Sequence, residues 1–181
     1  MTAGRTVRDL ESRIYIDESG DTPLGRLWLA HSQAGLVAVA CGGSQAEFEN
    51  YLIRRFKRPV LLDPGRLSQA GSELVDYLNG RRHHFDVIID WLVLRPFQRS
   101  VLQATFAIPY GETRTYKEIA EQVGRPRAAR AVGRAEATNP MPLVIPCHRV
   151  IGADGRLHGY GLGEGVRTKE WLLRMEGAII A

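Results

Sequence analysis

Cysteine is scarce in this 181-residue chain: Cys41 and Cys147 are the only two. Two thiols cannot build a disulfide framework, and neither stands in a CxxC or Cys/His spacing that suggests zinc. Long apolar runs are missing as well. No stretch approaches the roughly 20 residues a membrane helix needs, and the opening Met1-Thr-Ala-Gly-Arg-Thr-Val-Arg-Asp has no apolar core of the signal-peptide kind. The expectation is a cytoplasmic protein with no membrane partner. Repeats and low-complexity tracts are absent too. An excess of one charge is small, at +4, but it is unevenly spread. Residues 1–96 carry 12 basic and 12 acidic side chains, whereas residues 97–181 carry 12 basic against 8 acidic. Arg114, Lys117, Arg125, Arg127, Arg130 and Arg134 cluster with only Glu118 and Glu121 among them. Such a cluster is either the footprint of a polyanion or a solvated helix face, and charge alone does not choose.

What is present reads as an α+β chain in two parts. Gly25-Arg-Leu-Trp-Leu-Ala-His and Gly35-Leu-Val-Ala-Val-Ala-Cys form a strand hairpin, which makes Cys41 a small core residue. A helix follows from Ser44, with Glu47 completing a capping box. A second runs from Arg66 to Asn79, with Leu67, Ala70, Leu74 and Leu78 on one face and Gly80 as its stop. Phe85 to Leu94 is strand-like. His83 and His84 point to opposite faces of an extended chain and read as surface residues, not as a metal pair. This first part, residues 1–95, is a small lobe with an antiparallel sheet and flanking helices.

Residues 96–181 are mostly helical. One helix spans Phe97 to Ala107. Thr115 and Glu118 form another capping box, opening a helix that stops at Gly124. Pro126 is then the expected first residue of a further helix running through Arg134. Helix, glycine turn and basic helix outline a helix-turn-helix, with Gly124, Ala128 and Ala129 permitting close approach.

Beyond it lies Asn139-Pro-Met-Pro-Leu-Val-Ile-Pro-Cys-His-Arg-Val-Ile-Gly. Three prolines stiffen the path into Cys147, as suits a nucleophile that must be held for in-line attack. His148 and Arg149 follow directly and are expected to lower the thiol pKa, the thiolate being the reactive form.

Ile145-Pro-Cys-His-Arg-Val closely resembles the active-site signature of the O6-alkylguanine-DNA alkyltransferases. The likeness extends through Phe97-Gln-Arg-Ser-Val, Pro109-Tyr-Gly-Glu-Thr, Ala128-Ala-Arg-Ala-Val-Gly, Asn139-Pro, Lys169-Glu-Trp-Leu-Leu and Glu176-Gly, in order, over about the last 85 residues. It implies a ribonuclease-H-like α/β lobe over 1–95 and a DNA-binding alkyltransferase domain over 96–181. The implied reaction is a single irreversible transfer of the alkyl group from O6-alkylguanine in double-stranded DNA to Cys147, after the base is flipped out of the stack. Activity on O4-alkylthymine stays open.

The same resemblance assigns roles. His148 is the base, acting through a water, and Glu176 orients it. Tyr116 donates a hydrogen bond to the flipped guanine and crowds a phosphate. Arg130 fills the vacated place in the stack. Asn139 joins the recognition helix to the active-site loop. Thr115, Arg127, Ala129 and Arg134 belong to the DNA-facing surface, although Arg134 also reads as a solvated charge. Pro142, Val150, Tyr160, Gly161 and Lys169 form the guanine pocket. No cofactor and no metal is implied. A monomer is expected, with cooperativity on DNA left open.

The chain departs from its relatives in places. The loop Gly161-Leu-Gly-Glu-Gly-Val-Arg-Thr is longer than usual beside the pocket. Leu102 replaces a frequent tryptophan, and the N-terminal zinc ligands of the human type are not evident. Three other readings compete: a lesion-flagging relative, a DNA-binding regulator and a multiple-turnover cysteine hydrolase. The first has its cysteine replaced, which Cys147 argues against. The second lacks an extra regulatory segment here. The third leaves the basic helix pair unexplained.

Overall fold

Three short apolar strands open the chain in a computed structural model that describes residues 13–65 and 68–178. They are β1 (Ile14–Glu18), β2 (Leu27–His31) and β3 (Leu36–Cys41), joined by antiparallel pairing. After helix α1 (Gln45–Phe56), β4 (Val60–Leu62) adds in parallel to β1, so the sheet order is β3-β2-β1-β4. The expected hairpin, β2 with β3, is therefore one side of a larger mixed sheet, with β3 at its edge. Alternation sorts its side chains onto two faces. Ile14, Ile16 and Ala30 pack against Phe48 and Leu52 of α1. Leu27, Leu29 and Leu36 pack against Ala70, Leu74 and Leu78 of α2 (Ser68–Leu78). Arg66 and Leu67, assigned to this helix from sequence, lie outside the described residues.

Phe85–Leu94 is not a strand. Only Ile89 makes a bridge, to Leu36, and Trp91–Val93 is a 3-10 turn. Asp90 explains the difference. Its carboxylate accepts from the Leu92 N–H and from the Ser32 hydroxyl, a local alternative to a ladder. Gly35 allows the bridge: at φ 147°, a Cβ there would lie 2.5 Å from the Ile88 carbonyl oxygen.

The helical part begins with α3 (Pro96–Phe106), which has Pro96 in its first turn. Next come β5 (Arg114–Thr115) and α4 (Tyr116–Gln122), with the Thr115–Glu118 capping box formed as expected. The following helix, α5 (Ala129–Ala137), starts later than Pro126. A turn closed by the Ala128 N–H on the Arg125 carbonyl takes up Pro126 and Arg127, so Arg127 sits before the helix. Val101 and Ala104 of α3, Ile119 and Ala120 of α4, and Val132 and Ala135 of α5 form the core of this helix-turn-helix. The 3-10 turn Cys147–Arg149 leads into β6 (Val150–Ile151), and α6 (Val166–Met175) closes the described chain.

Two links fix the segment around Cys147. β6 pairs in parallel with β5, which sets the turn holding Cys147 next to the start of α4. On the other side, Met141, Leu143, Val144 and Ile145 share one core with the sheet, and the Val39 N–H donates to the Pro140 carbonyl. The N-terminal lobe thus buttresses the active-site loop from behind. Among the described residues no helix is long and apolar enough to cross a membrane.

Candidate active site

Cys147 is buried at the head of its 3-10 turn. Asn139 holds the loop in shape: its side-chain amide donates to the Ile145 carbonyl at 2.9 Å, and its oxygen accepts from the Met141 N–H at 3.0 Å. The same side chain is hydrogen-bonded to the Cys147 sulfur. The expected depression of the thiol pKa does not occur in this state. Burial and the nearby Glu136 carboxylate push it up to about 12, against the Asn139 hydrogen bond and the Lys169 charge. Arg149 does not help, because its guanidinium is spent elsewhere.

That elsewhere is Glu176, which is buried although it follows the last helix. Its carboxylate accepts from His148 Nε2 at 2.9 Å, from Arg149 Nε at 2.9 Å and Nη2 at 2.8 Å, and from the Tyr77 hydroxyl at 2.5 Å. Burial alone would raise its pKa, but the hydrogen bonds and charges of His148 and Arg149 outweigh this and hold the carboxyl well below the usual range. Arg149 also donates to the Ile108 carbonyl. Gly111 completes the cage with an N–H to Glu176 at 3.3 Å.

His148 is fully enclosed. Burial pushes its imidazole pKa down, against the hydrogen bond and charge of Glu176, so the neutral ring is favoured. With Nε2–H directed at Glu176, the lone pair falls on Nδ1, which has no hydrogen-bond partner among the described residues. A buried imidazole with one nitrogen anchored on a carboxylate and the other free has the form of a general base.

The residues expected to line one pocket are split between two cavities. An open cleft of about 790 Å³ is lined by Tyr116, Ala129, Arg130, Gly133, Tyr160 and Gly161. A second, of about 470 Å³, lies between the lobes and is lined by Cys147, Asn139, Pro142, Glu136 and Cys41. Gly161 borders both. Val150 and Lys169 line neither: the buried Lys169 ammonium donates to the Val150 carbonyl at 2.6 Å and to the His158 carbonyl at 3.3 Å. It also lies 5.8 Å over the Tyr116 ring. Burial, with the charges of Glu136 and Cys147, raises the Tyr116 phenol to about 12, so at neutral pH it remains a donor.

Thr115 is the N-cap that sets Tyr116. Arg127 and Arg130 are exposed, and Arg134 is exposed one turn further along α5. Cys41 is half-buried and packed on the core, with its sulfur 3.0 Å from the Leu24 carbonyl. His83 and His84 are both exposed as expected, and His83 stacks on Tyr110 with ring centroids 4.0 Å apart.

Sequence reasoning missed Tyr77 and Glu136. Tyr77 touches both His148 and Glu176. Glu136 sits on the buried face of α5, takes the Thr105 hydroxyl at 2.5 Å, and has its other oxygen unpartnered. Burial pushes its carboxyl up to about 7, against the Thr105 hydrogen bond and the Lys169 charge. The available signal was a carboxylate among Val132 and Ala135 on an apolar stripe.

Fold and site together define a protein with a buried free cysteine set behind a helix-turn-helix. Residues 96–178 match the DNA binding domain of 6-O-methylguanine DNA methyltransferase, and residues 14–91 match its ribonuclease-like domain. The chain belongs to this family. It is 41% identical over 171 residues to the methylated-DNA–protein-cysteine methyltransferase of Salmonella typhimurium, covering 91% of this chain and 97% of that one. It is 51% identical over 162 residues to the protein of the same name from Methanosarcina barkeri, covering 86% and 93%. Among solved structures, Mycobacterium tuberculosis OGT in complex with DNA superposes with a TM-score of 0.74 at 40% identity, covering 90% and 92%.

Proposed function

We propose that this chain repairs O6-alkylated guanine in double-stranded DNA by moving the alkyl group onto Cys147, once per molecule. The observation that carries the reading is the neutral, Glu176-anchored His148 with a free Nδ1, in the turn that holds Cys147 beneath a helix-turn-helix.

A thiol pushed up to about 12 needs a base to react at neutral pH. In this reading His148 Nδ1 takes the thiol proton through a water, and Glu176 stabilises the resulting imidazolium. The sulfur bonds to the alkyl carbon as the carbon–O6 bond breaks, and that electron pair passes to the guanine. Tyr116, held protonated, donates to the leaving base. A thioether has no carbonyl for water to attack, so nothing regenerates the thiol. Asn139 holds the loop for in-line attack.

The damaged base must leave the stack before its O6 substituent can meet a side chain. Arg130 lines the cleft with Tyr116, and in this reading its side chain fills the gap left in the duplex. Thr115, Arg127, Ala129 and Arg134 complete the DNA-facing surface. Tyr160 and Gly161 receive the base from the cleft side, Pro142 borders the thiol, and Val150 and Lys169 brace the wall between them. The division at residues 95 and 96 separates a buttressing lobe from the reacting one. The protein works as a cytoplasmic monomer without a cofactor.

The test is a count. With excess duplex carrying O6-methylguanine, lesion loss is expected to stop at one per protein molecule. Continued loss beyond one equivalent contradicts the reading.

A further inference from the structure

A third cleft, of about 500 Å³, opens where the two lobes meet and is lined by Arg55, Arg95, Phe97, Gln98, Arg134 and Thr138. Arg55 comes from the end of α1, Arg95 from the junction and Arg134 from α5. Among the described residues no acidic side chain lines this cleft. Arg95 and Arg134 are exposed, and among the described residues neither forms an ion pair. Arg55 donates to the Thr138 carbonyl at 3.4 Å, while its buried Nε has no partner. With Arg55, the residues Arg54, Lys57 and Arg58 form a basic strip along the sequence at and just after the end of α1.

Helix-dipole compensation accounts for part of this strip, since Arg54 and Arg55 close α1 and Arg134 lies in the last turn of α5. It does not account for Arg95. That residue is the N-cap of α3 and makes no side-chain cap bond. A cation is disfavoured there by the helix dipole unless an anion joins it. Three guanidinium groups, beside Phe97 and Gln98 of the first turn of α3, thus border one cleft, which is the chemistry of a phosphate site. α5 carries Arg130 at the lesion cleft and Arg134 about 6 Å further along its axis. A duplex lying along α5 would reach both.

We propose that the cleft between Arg55, Arg95 and Arg134 binds a backbone phosphate of the same duplex, so that the N-terminal lobe and the junction share in holding DNA. This rests on the repair reading above and extends its footprint beyond the helix-turn-helix. Phosphate neutralisation releases counterions, so each lost contact removes about 0.9 from the slope of log affinity against log salt. The experiment compares wild type with Arg55→Gln and Arg95→Gln, using duplexes that extend from the lesion to either side. Each variant is expected to lose roughly threefold less affinity than wild type between about 50 and 200 mM salt. The effect should appear only with duplexes long enough to cross this cleft, and Arg95→Lys should restore it. Alkylation of Cys147 by free O6-methylguanine nucleoside, which carries no phosphate, should be unchanged. Unchanged slopes in both variants overturn the proposal, as does an equal loss with duplexes of either extension. Wild-type affinity that ignores salt altogether would instead overturn the DNA-repair reading itself.

Discussion

Glu136 shows what a single buried carboxylate imposes. Its pKa of about 7 lies above the ordinary 4.5, so between those values the folded protein holds a proton that the unfolded chain has lost. Stability contributed by the neutral form is fully present below pH 4.5 and is lost as pH rises to 7. His148, held neutral by burial, contributes equally to wild type and to a Glu136 variant and cancels in the comparison. Glu136→Gln is therefore expected to raise the melting temperature by about 5 °C at pH 8 and by little at pH 4.5, read by thermal unfolding at both values. An equal gain at both would mean that ionisation is not the cause. Glu176 carries the opposite shift, and its stabilisation is lost only as pH falls below the ordinary carboxylate range. Glu176→Gln leaves Arg149 and His148 with a weakened partner, and we expect a loss of about 3 kcal/mol in urea titration. Of this cluster, Cys147 and His148 were singled out by the Ile145-Pro-Cys-His-Arg-Val segment, and Asn139 and Glu176 by the further resemblance of Asn139-Pro and Glu176-Gly. Tyr77 was not, because it comes from the other lobe, 71 residues from His148, and reads there as one more apolar-face residue of α2.

Local rules held best at the helix starts. Both capping boxes, Ser44–Glu47 and Thr115–Glu118, were visible as residue spacing and are formed. Their removal should separate stability from function. Ser44→Ala and Thr115→Ala are each expected to cost about 1 kcal/mol. Only Thr115→Ala should also slow alkyl transfer, because Tyr116 follows directly; single-turnover rates beside urea titrations check this. Gly111 is a second such element. Its φ of 78° disfavours a side chain, and an added Cβ would lie 2.9 Å from the Glu176 carbonyl oxygen. Gly111→Ala should displace Glu176 and lower both stability and transfer rate. Local reading failed where partners decide. β1 and β4 are short and exist through pairing, β4 with β1 and β1 with β2. Pro126 was a credible helix start, yet the Arg125–Ala128 turn keeps it outside α5.

At the scale of the whole molecule, the two lobes are one mechanical unit around the cysteine loop. Sheet residues Leu27, Leu29 and Leu36 share a core with Met141, Leu143 and Ile145, and the arrangement stiffens the loop without entering the lesion cleft. The sequence showed two parts and a basic C-terminal half, but not that the first part would brace the second or that two cavities would meet at Gly161. Such relations depend on packing between distant segments and leave little periodic trace. The central claim remains chemical, and one measurement meets it directly: intact-protein mass after incubation with a duplex holding one O6-methylguanine, beside Cys147→Ala. The account predicts that wild type alone gains one methylene, to one equivalent and no further. Binding of the lesion with no gain in mass would contradict it, and would make Cys147, His148 and Glu176 a well-ordered site that does not react.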